Sequence, residues 1–145
     1  MCQHLRSRED RLTIVFAALS LGLLALTTTG ARAEEPVPVK IGIVTFLTGP
    51  VAAPFGIPDH NAAELLVDSL NAGKVPAPYN QIGLGGAKIY AKFVDEVGSA
   101  ADVVTQFRNL SERDHVDVVV GYVSSANCLA VTPVAEELKQ LTVLD

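Results

Sequence analysis

The sequence predicts an α/β fold for residues 34–145: a Rossmann-like parallel sheet with helices on both faces. Two observations lead to it. Apolar, β-branched runs alternate with stretches of helical period in the order β-α-β-α-β-α-β, and such alternation specifies a parallel sheet with crossover helices. The strongest runs, at residues 39–46 and 116–122, are nearly continuous in apolar side chains, which suits strands covered on both faces.

Residues 39–46 (V-K-I-G-I-V-T-F) form the first predicted strand. Residues 47–56 are a loop, punctuated by Gly49, Pro50 and Pro54. The first helix is expected from about residue 57 to residue 70. There Ala62, Ala63, Leu66, Val67 and Leu70 recur at helical spacing, while Asn61, Glu64 and Asp68 take the other side. Gly73 is the expected stop. Residues 74–86 are a Pro/Gly-rich loop of 13 residues, and residues 87–95 are the second strand. Ser99-x-x-Asp102 is a helix-start signature, and Val103, Val104, Phe107 and Leu110 supply the buried stripe of that helix. Residues 116–122 read as the central strand. The third helix follows from about residue 125 to residue 139. Pro133 lies too deep in it to be a first-turn proline, which predicts a kink or local break. Residues 141–144 begin a fourth strand. A final strand with no helix to cover it reads as a truncated gene product or a fragment.

Residues 1–33 read as a cleaved, Sec-type signal peptide. Arg6, Arg8 and Arg11 precede an uncharged run of 15 residues, 12–26, and Ala31-Arg32-Ala33 is a small-x-small cleavage site. The run is shorter than the roughly 20 apolar residues that span a bilayer, so no stable membrane insertion is expected after cleavage. Cleavage after Ala33 leaves 112 of the 145 residues, with 7 of the 11 basic and 14 of the 16 acidic side chains, a net charge of −7. That balance argues against nucleic acid and anionic membrane surfaces as partners. Cys2 departs with the signal peptide, so Cys128 stays alone and no internal disulfide forms. The remaining 112 residues hold one core and one domain.

In open parallel sheets, ligands bind beyond the carboxyl ends of the strands, where the strand order switches. Three segments meet that edge: residues 45–56, 95–99 and 122–127. The third carries Ser124 and Ser125 between the central strand and a helix start. A helix N-terminus offers unpaired N–H groups and the positive end of the macrodipole. With a serine hydroxyl added, it is a seat for a carboxylate or carbonyl oxygen. The competing role for Ser125 is capping, in which its Oγ serves the helix itself.

Several stretches then resemble a known family. They are residues 39–46 followed by Leu47-Thr-Gly-Pro-x-Ala-x-Pro-Phe-Gly56, Asn61-Ala-Ala-Glu-Leu, Val118-Val-Val-Gly-Tyr-Val-Ser-Ser-Ala126 and Pro133-Val-Ala-Glu-Glu137. They look like the type I periplasmic substrate-binding proteins of ABC transporters, in the branched-chain amino-acid-binding (leucine-binding) branch. The resemblance covers residues 34–145 in order and implies part of the first of two hinged α/β lobes. It implies a periplasmic protein without catalysis or cofactor that binds an amino acid or a related small polar solute, such as an amide, urea or an aromatic acid, and delivers it to a permease. Ser125 matches the serine that holds the ligand carboxylate, and Ser124 matches its neighbour in the same pocket. Ser124 and Ala126 add flanking N–H groups. Phe55 falls where the family places an aromatic wall, in a loop that Pro54 lengthens by one residue. An exported ligand-sensing lobe of a signalling receptor is the alternative that the same fold serves.

Other signals carry less. Gly83-x-Gly85-Gly86 precedes a strand, whereas a dinucleotide fingerprint follows one. No Gly-x-Ser-x-Gly elbow marks a hydrolase. Cys128 has no base beside it in the predicted topology and reads as a small buried residue. His60, His115 and Asp59 do not have metal-ligand spacing. Asp95 and Glu96 end the second strand at the binding edge. There they are either solvated, paired with the next helix start, or pointed into the cleft. Tyr122 either lines the cleft or packs beneath the third helix.

Overall fold

The computed structural model describes residues 35–145. The signal peptide read in residues 1–33 lies outside the described residues. Four strands and three helices alternate: β1 (Val39–Thr45), α1 (Ile57–Asn71), β2 (Ile89–Asp95), α2 (Ala100–Glu112), β3 (Val118–Gly121), α3 (Ser125–Leu138) and β4 (Thr142–Leu144). All strand pairs are parallel, in the order β2-β1-β3-β4. The α/β class and the order of elements are those the sequence predicts.

The core lies on one face of the sheet. Val44 and Val119 point there, against Val103, Phe107 and Leu110 of α2 and Val131 and Val134 of α3. Three residues of the stripe expected on α2 are buried, and Val104 is half-buried. The Ser99–Asp102 signature is a complete capping box. Asp102 N–H donates to Ser99 Oγ and Ser99 N–H to the Asp102 carboxylate, at 3.3 and 2.9 Å.

The opposite face is thinly covered. Helix α1 runs along β2, where His60 stacks on Phe93 at 4.2 Å. The Asn71 side chain brackets Ile89, accepting from its N–H at 2.8 Å and donating to its carbonyl at 2.9 Å. No residue of α1 is buried, and Leu66 of the expected stripe is 54% exposed. The helical period is present, but the helix covers the β2 side of the sheet only, so its apolar stripe has little to face.

Two further expectations change. Strand β3 is shorter than residues 116–122. The Val116 N–H bonds back to Leu110 O at 3.1 Å, which ties it to the turn after α2, and Tyr122 leaves the strand at φ 75°. Helix α3 continues unbroken through Pro133. The carbonyl that loses its donor belongs to Leu129, which is 77% exposed, so the lost bond falls on the solvent side of the helix.

Candidate functional site

Strand β1 has β2 on one side and β3 on the other, so the order reverses between β1 and β3. The carboxyl ends of those two strands form the crevice where such sheets bind ligands.

The floor of that crevice depends on close backbone approach. Tyr122 N–H donates to Val44 O at 3.1 Å. A Cβ on Gly121 would stand 2.0 Å from the same oxygen, and Gly121 has φ 126°. Only glycine fits there. Gly121 and Tyr122 together turn the chain out of the sheet, and Tyr122 swings under α3. It is 0% exposed and tilts against Phe107 at a centroid distance of 6.5 Å. Burial, reinforced by the nearby Glu96 and Cys128 charges, pushes its phenol well up. Tyr122 thus packs beneath the helix and does not line the cleft.

Beyond it, Ser124 is the N-cap of α3, in an extended conformation, and its side chain makes no capping bond. Ser125 and Ala126 begin the helix and are exposed. Among the described residues, no acceptor is hydrogen-bonded to the Ser125 or Ala126 N–H, and neither serine hydroxyl is engaged. The capping role weighed for Ser125 is not what this helix uses. The N–H of Ser124, by contrast, is taken: it donates to Glu96 Oε1 at 2.9 Å. The expectation that Ser124 offers a flanking N–H is corrected accordingly, leaving its hydroxyl.

The strand end that the sequence left ambiguous proves organised. The carboxylates of Asp95, which ends β2, and of Glu96, which follows it, reach different loops. Asp95 accepts from Leu47 N–H at 3.0 Å, the Thr48 hydroxyl at 2.6 Å and Val97 N–H at 3.2 Å. Burial raises its carboxyl pKa, and the Thr48, Leu47 and Val97 bonds outweigh that, holding it below the usual carboxylate range. Glu96, 0% exposed, accepts from Val123 N–H at 2.9 Å, Ser124 N–H at 2.9 Å and Asn127 Nδ2 at 3.0 Å. Glu96 is closed off from solvent, and both oxygens of Asp95 are engaged by backbone and hydroxyl donors. Paired acids at a strand's end were the signal; their partners, distant in sequence, were not readable from spacing.

Phe55 stands on the β1–α1 connection, 55% exposed. The segment Ala52–Gly56 is a π-helical turn that runs straight into α1. A π turn takes up one more residue than an α turn, and Pro54 lies within this one. Gly56 sits against β1's exit: a Cβ there would lie 1.7 Å from Phe46 O.

Cys128 is half-buried and its thiol donates to Tyr122 O at 3.0 Å. Burial, then the Glu96 and Asp145 charges, raise its pKa, the reverse of what a nucleophile needs. Among the described residues, no three His, Cys, Asp or Glu side chains are grouped to hold a metal ion. No helix of the described residues is long and apolar enough to cross a membrane.

The sequence pattern of the periplasmic binding protein family matches residues 38–144. The chain belongs to that family. Among curated members it is 31% identical over 110 residues to the Leu/Ile/Val-binding protein homolog 3 of Brucella melitensis. That alignment covers 76% of this chain and 27% of the relative, so the chain spans about a quarter of its length. Solved periplasmic binding proteins superpose on it. The branched-chain amino acid transporter substrate-binding protein LivJ of Streptococcus pneumoniae, in complex with isoleucine, matches with TM-score 0.63 and 25% identity, over 74% of this chain and 28% of LivJ. A periplasmic binding protein from Burkholderia mallei matches with TM-score 0.60 and 27% identity, over 74% and 26%. The parallel sheet and its helices are thus those of a lobe in this family.

Proposed function

We propose that this chain supplies one wall of the solute cleft of an ABC-importer binding protein. The solute is an amino acid or a related small polar molecule carrying a carboxylate or carbonyl oxygen. That oxygen sits on the front of α3, held by the Ser125 N–H and hydroxyl, the Ala126 N–H and the Ser124 hydroxyl, with Phe55 as the apolar wall. One observation carries this reading. At the switch point between β1 and β3, a helix begins with N–H groups and two serine hydroxyls that none of the described residues engages. The Brucella relative is named for binding leucine, isoleucine and valine, and the Streptococcus structure contains isoleucine. Both support an amino acid with an aliphatic side chain as the first solute to try. A permease is then the partner of the complete protein.

The wall alone is a weak binder. A hydrogen bond to a charged group contributes about 1.5–3 kcal/mol, and a helix N-terminus about 0.3–1 kcal/mol. Association costs about 4–15 kcal/mol. Titrating the 15N-labelled chain with L-leucine is expected to shift the Ser125 and Ala126 amide signals, with saturation on the order of millimolar. Ser125→Ala is expected to weaken the response several-fold. Leucine shifts that map elsewhere, or none at Ser125 and Ala126, overturn the reading.

Export belongs to the same proposal. Residues 1–33 act as the signal peptide, and the periplasmic protein begins at Glu34. N-terminal sequencing of the periplasmic fraction reads this directly; retention of Met1 in that fraction refutes it.

A further inference from the structure

We propose that Glu96 is the positioning residue of this seat: from the end of β2 it holds the two peptides that lead into α3 and thereby keeps the Ser124 hydroxyl turned to the solute. The inference rests on the binding reading above, and its first test does not need a ligand. A helix start leaves four N–H groups without intrahelical partners, and the usual remedy is the side chain of the N-cap residue itself. Here the N-cap is Ser124, a good capping residue, yet its hydroxyl makes no such bond. A carboxylate 28 residues away instead holds the N–H of the N-cap residue itself. Glu96 Oε2 takes the Val123 N–H and Oε1 takes the Ser124 N–H, each at 2.9 Å, so both oxygens grip consecutive peptides. Asn127, the third residue of the helix, donates its Nδ2 to Oε1 at 3.0 Å. The side chain of Glu96 is fully buried, and its own N–H is anchored to Thr45 O at 2.9 Å.

The division of labour follows from these bonds. Glu96 fixes the two peptides before the helix. The N–H groups of Ser125 and Ala126 then project past it to the rim, and no solute can use Val123 or Ser124. A carboxylate is the group this task requires. An amide at position 96 has one acceptor oxygen and would present an NH2 to one of the three donors. With Glu96 removed, the Ser124 hydroxyl turns inward to cap the helix, as N-cap serines do, and the solute loses it.

The test is a mutant cycle on the full chain. Ser124→Ala is expected to leave the urea unfolding midpoint unchanged in the wild-type background and to lower it in the Glu96→Gln background. A lowered midpoint for Ser124→Ala alone shows that Ser124 is already the cap and overturns the proposal, even if Glu96→Gln does not fold. Hydrogen exchange provides the second readout. Glu96→Gln is expected to cut the protection of Val123 and Ser124 about tenfold or more while β1 keeps its own. Unchanged protection at Val123 and Ser124 overturns the proposal.

Glu96→Gln combined with Asn127→Asp restores both amides. The new carboxylate on the helix accepts from the new side-chain amide on β2 and, at the third helical position, from the Ser124 N–H. In the L-leucine titration, Glu96→Gln lowers affinity about tenfold and the double variant recovers it; no recovery alongside restored protection would sink the positioning role. A wild-type chain with the expected protection and cycle but no leucine response refutes the solute reading and leaves the cap standing.

Discussion

At the scale of single residues, the rim of this sheet is set by backbone tolerances more than by side-chain chemistry. Gly121 lets β3 end against β1 with no room for a methyl group. Gly121→Ala is therefore expected to destabilise the fold by about 2–4 kcal/mol, through the clash and the positive φ together, measured as a fall in the urea midpoint. A loss below about 0.5 kcal/mol would mean that the strand end relaxes freely. Little of this was legible beforehand. The sequence singles out Ser124 and Ser125 because serine before a helix has a known use. It does not disclose that Ser124, not Ser125, is the N-cap, nor that Tyr122 turns downward. Both follow from dihedral angles at Gly121 and Tyr122 that tertiary packing imposes. Glu96 was visible as an acid at a strand end. Its three donors lie 27 to 31 residues further along the chain, and no local rule reaches that far.

At the scale of elements, the periodic signals performed according to how much each element buries. Helix α2 is capped at both peptide and side-chain level and packs three residues fully into the core; its period and its start were both readable. Helix α1 has the same kind of pattern and buries nothing fully, since periodicity reports the capacity for burial and not the presence of a partner. Helix α3 shows the converse. A mid-helix proline predicts a break, and the helix runs on, the lost bond falling at the exposed residue Leu129. That continuity still comes at a loss of one bond. Pro133→Ala is expected to raise the unfolding free energy by about 1–3 kcal/mol, seen as a higher melting temperature. A lower melting temperature would show instead that Pro133 packs where the helix needs it.

At the scale of the molecule, charge and hydrogen bonding set the response to pH. The folded-state pKa of Asp95 lies below its ordinary value, with burial opposing and the Thr48, Leu47 and Val97 bonds prevailing. Asp102 is lowered too, through the Ser99 hydroxyl and then the Ser99 N–H. Depressed carboxyls stabilise the fold above their unfolded pKa, about 3.9, and lose that contribution as pH falls through the lower folded value. Urea midpoints are therefore expected to fall steeply below about pH 4, and Asp95→Asn should flatten that fall. An acid limb unchanged by Asp95→Asn would place the dependence elsewhere. The overall class was the most legible property of all, because β/α alternation is carried by residue type and length alone. What covers the far side of β3 and β4, where Val143 is 52% exposed, is not written in the alternation.

The central place of β1 also bears on synthesis. It pairs on one side with β2 and on the other with β3, and Lys40 meets Asp117 across 77 residues of chain. At about 5–20 residues per second, the ribosome takes roughly 4–15 s to make that stretch. Throughout that interval Ile41, Ile43 and Val44 have an open flank. A holdase that favours extended apolar segments would meet them before their own partner strand exists.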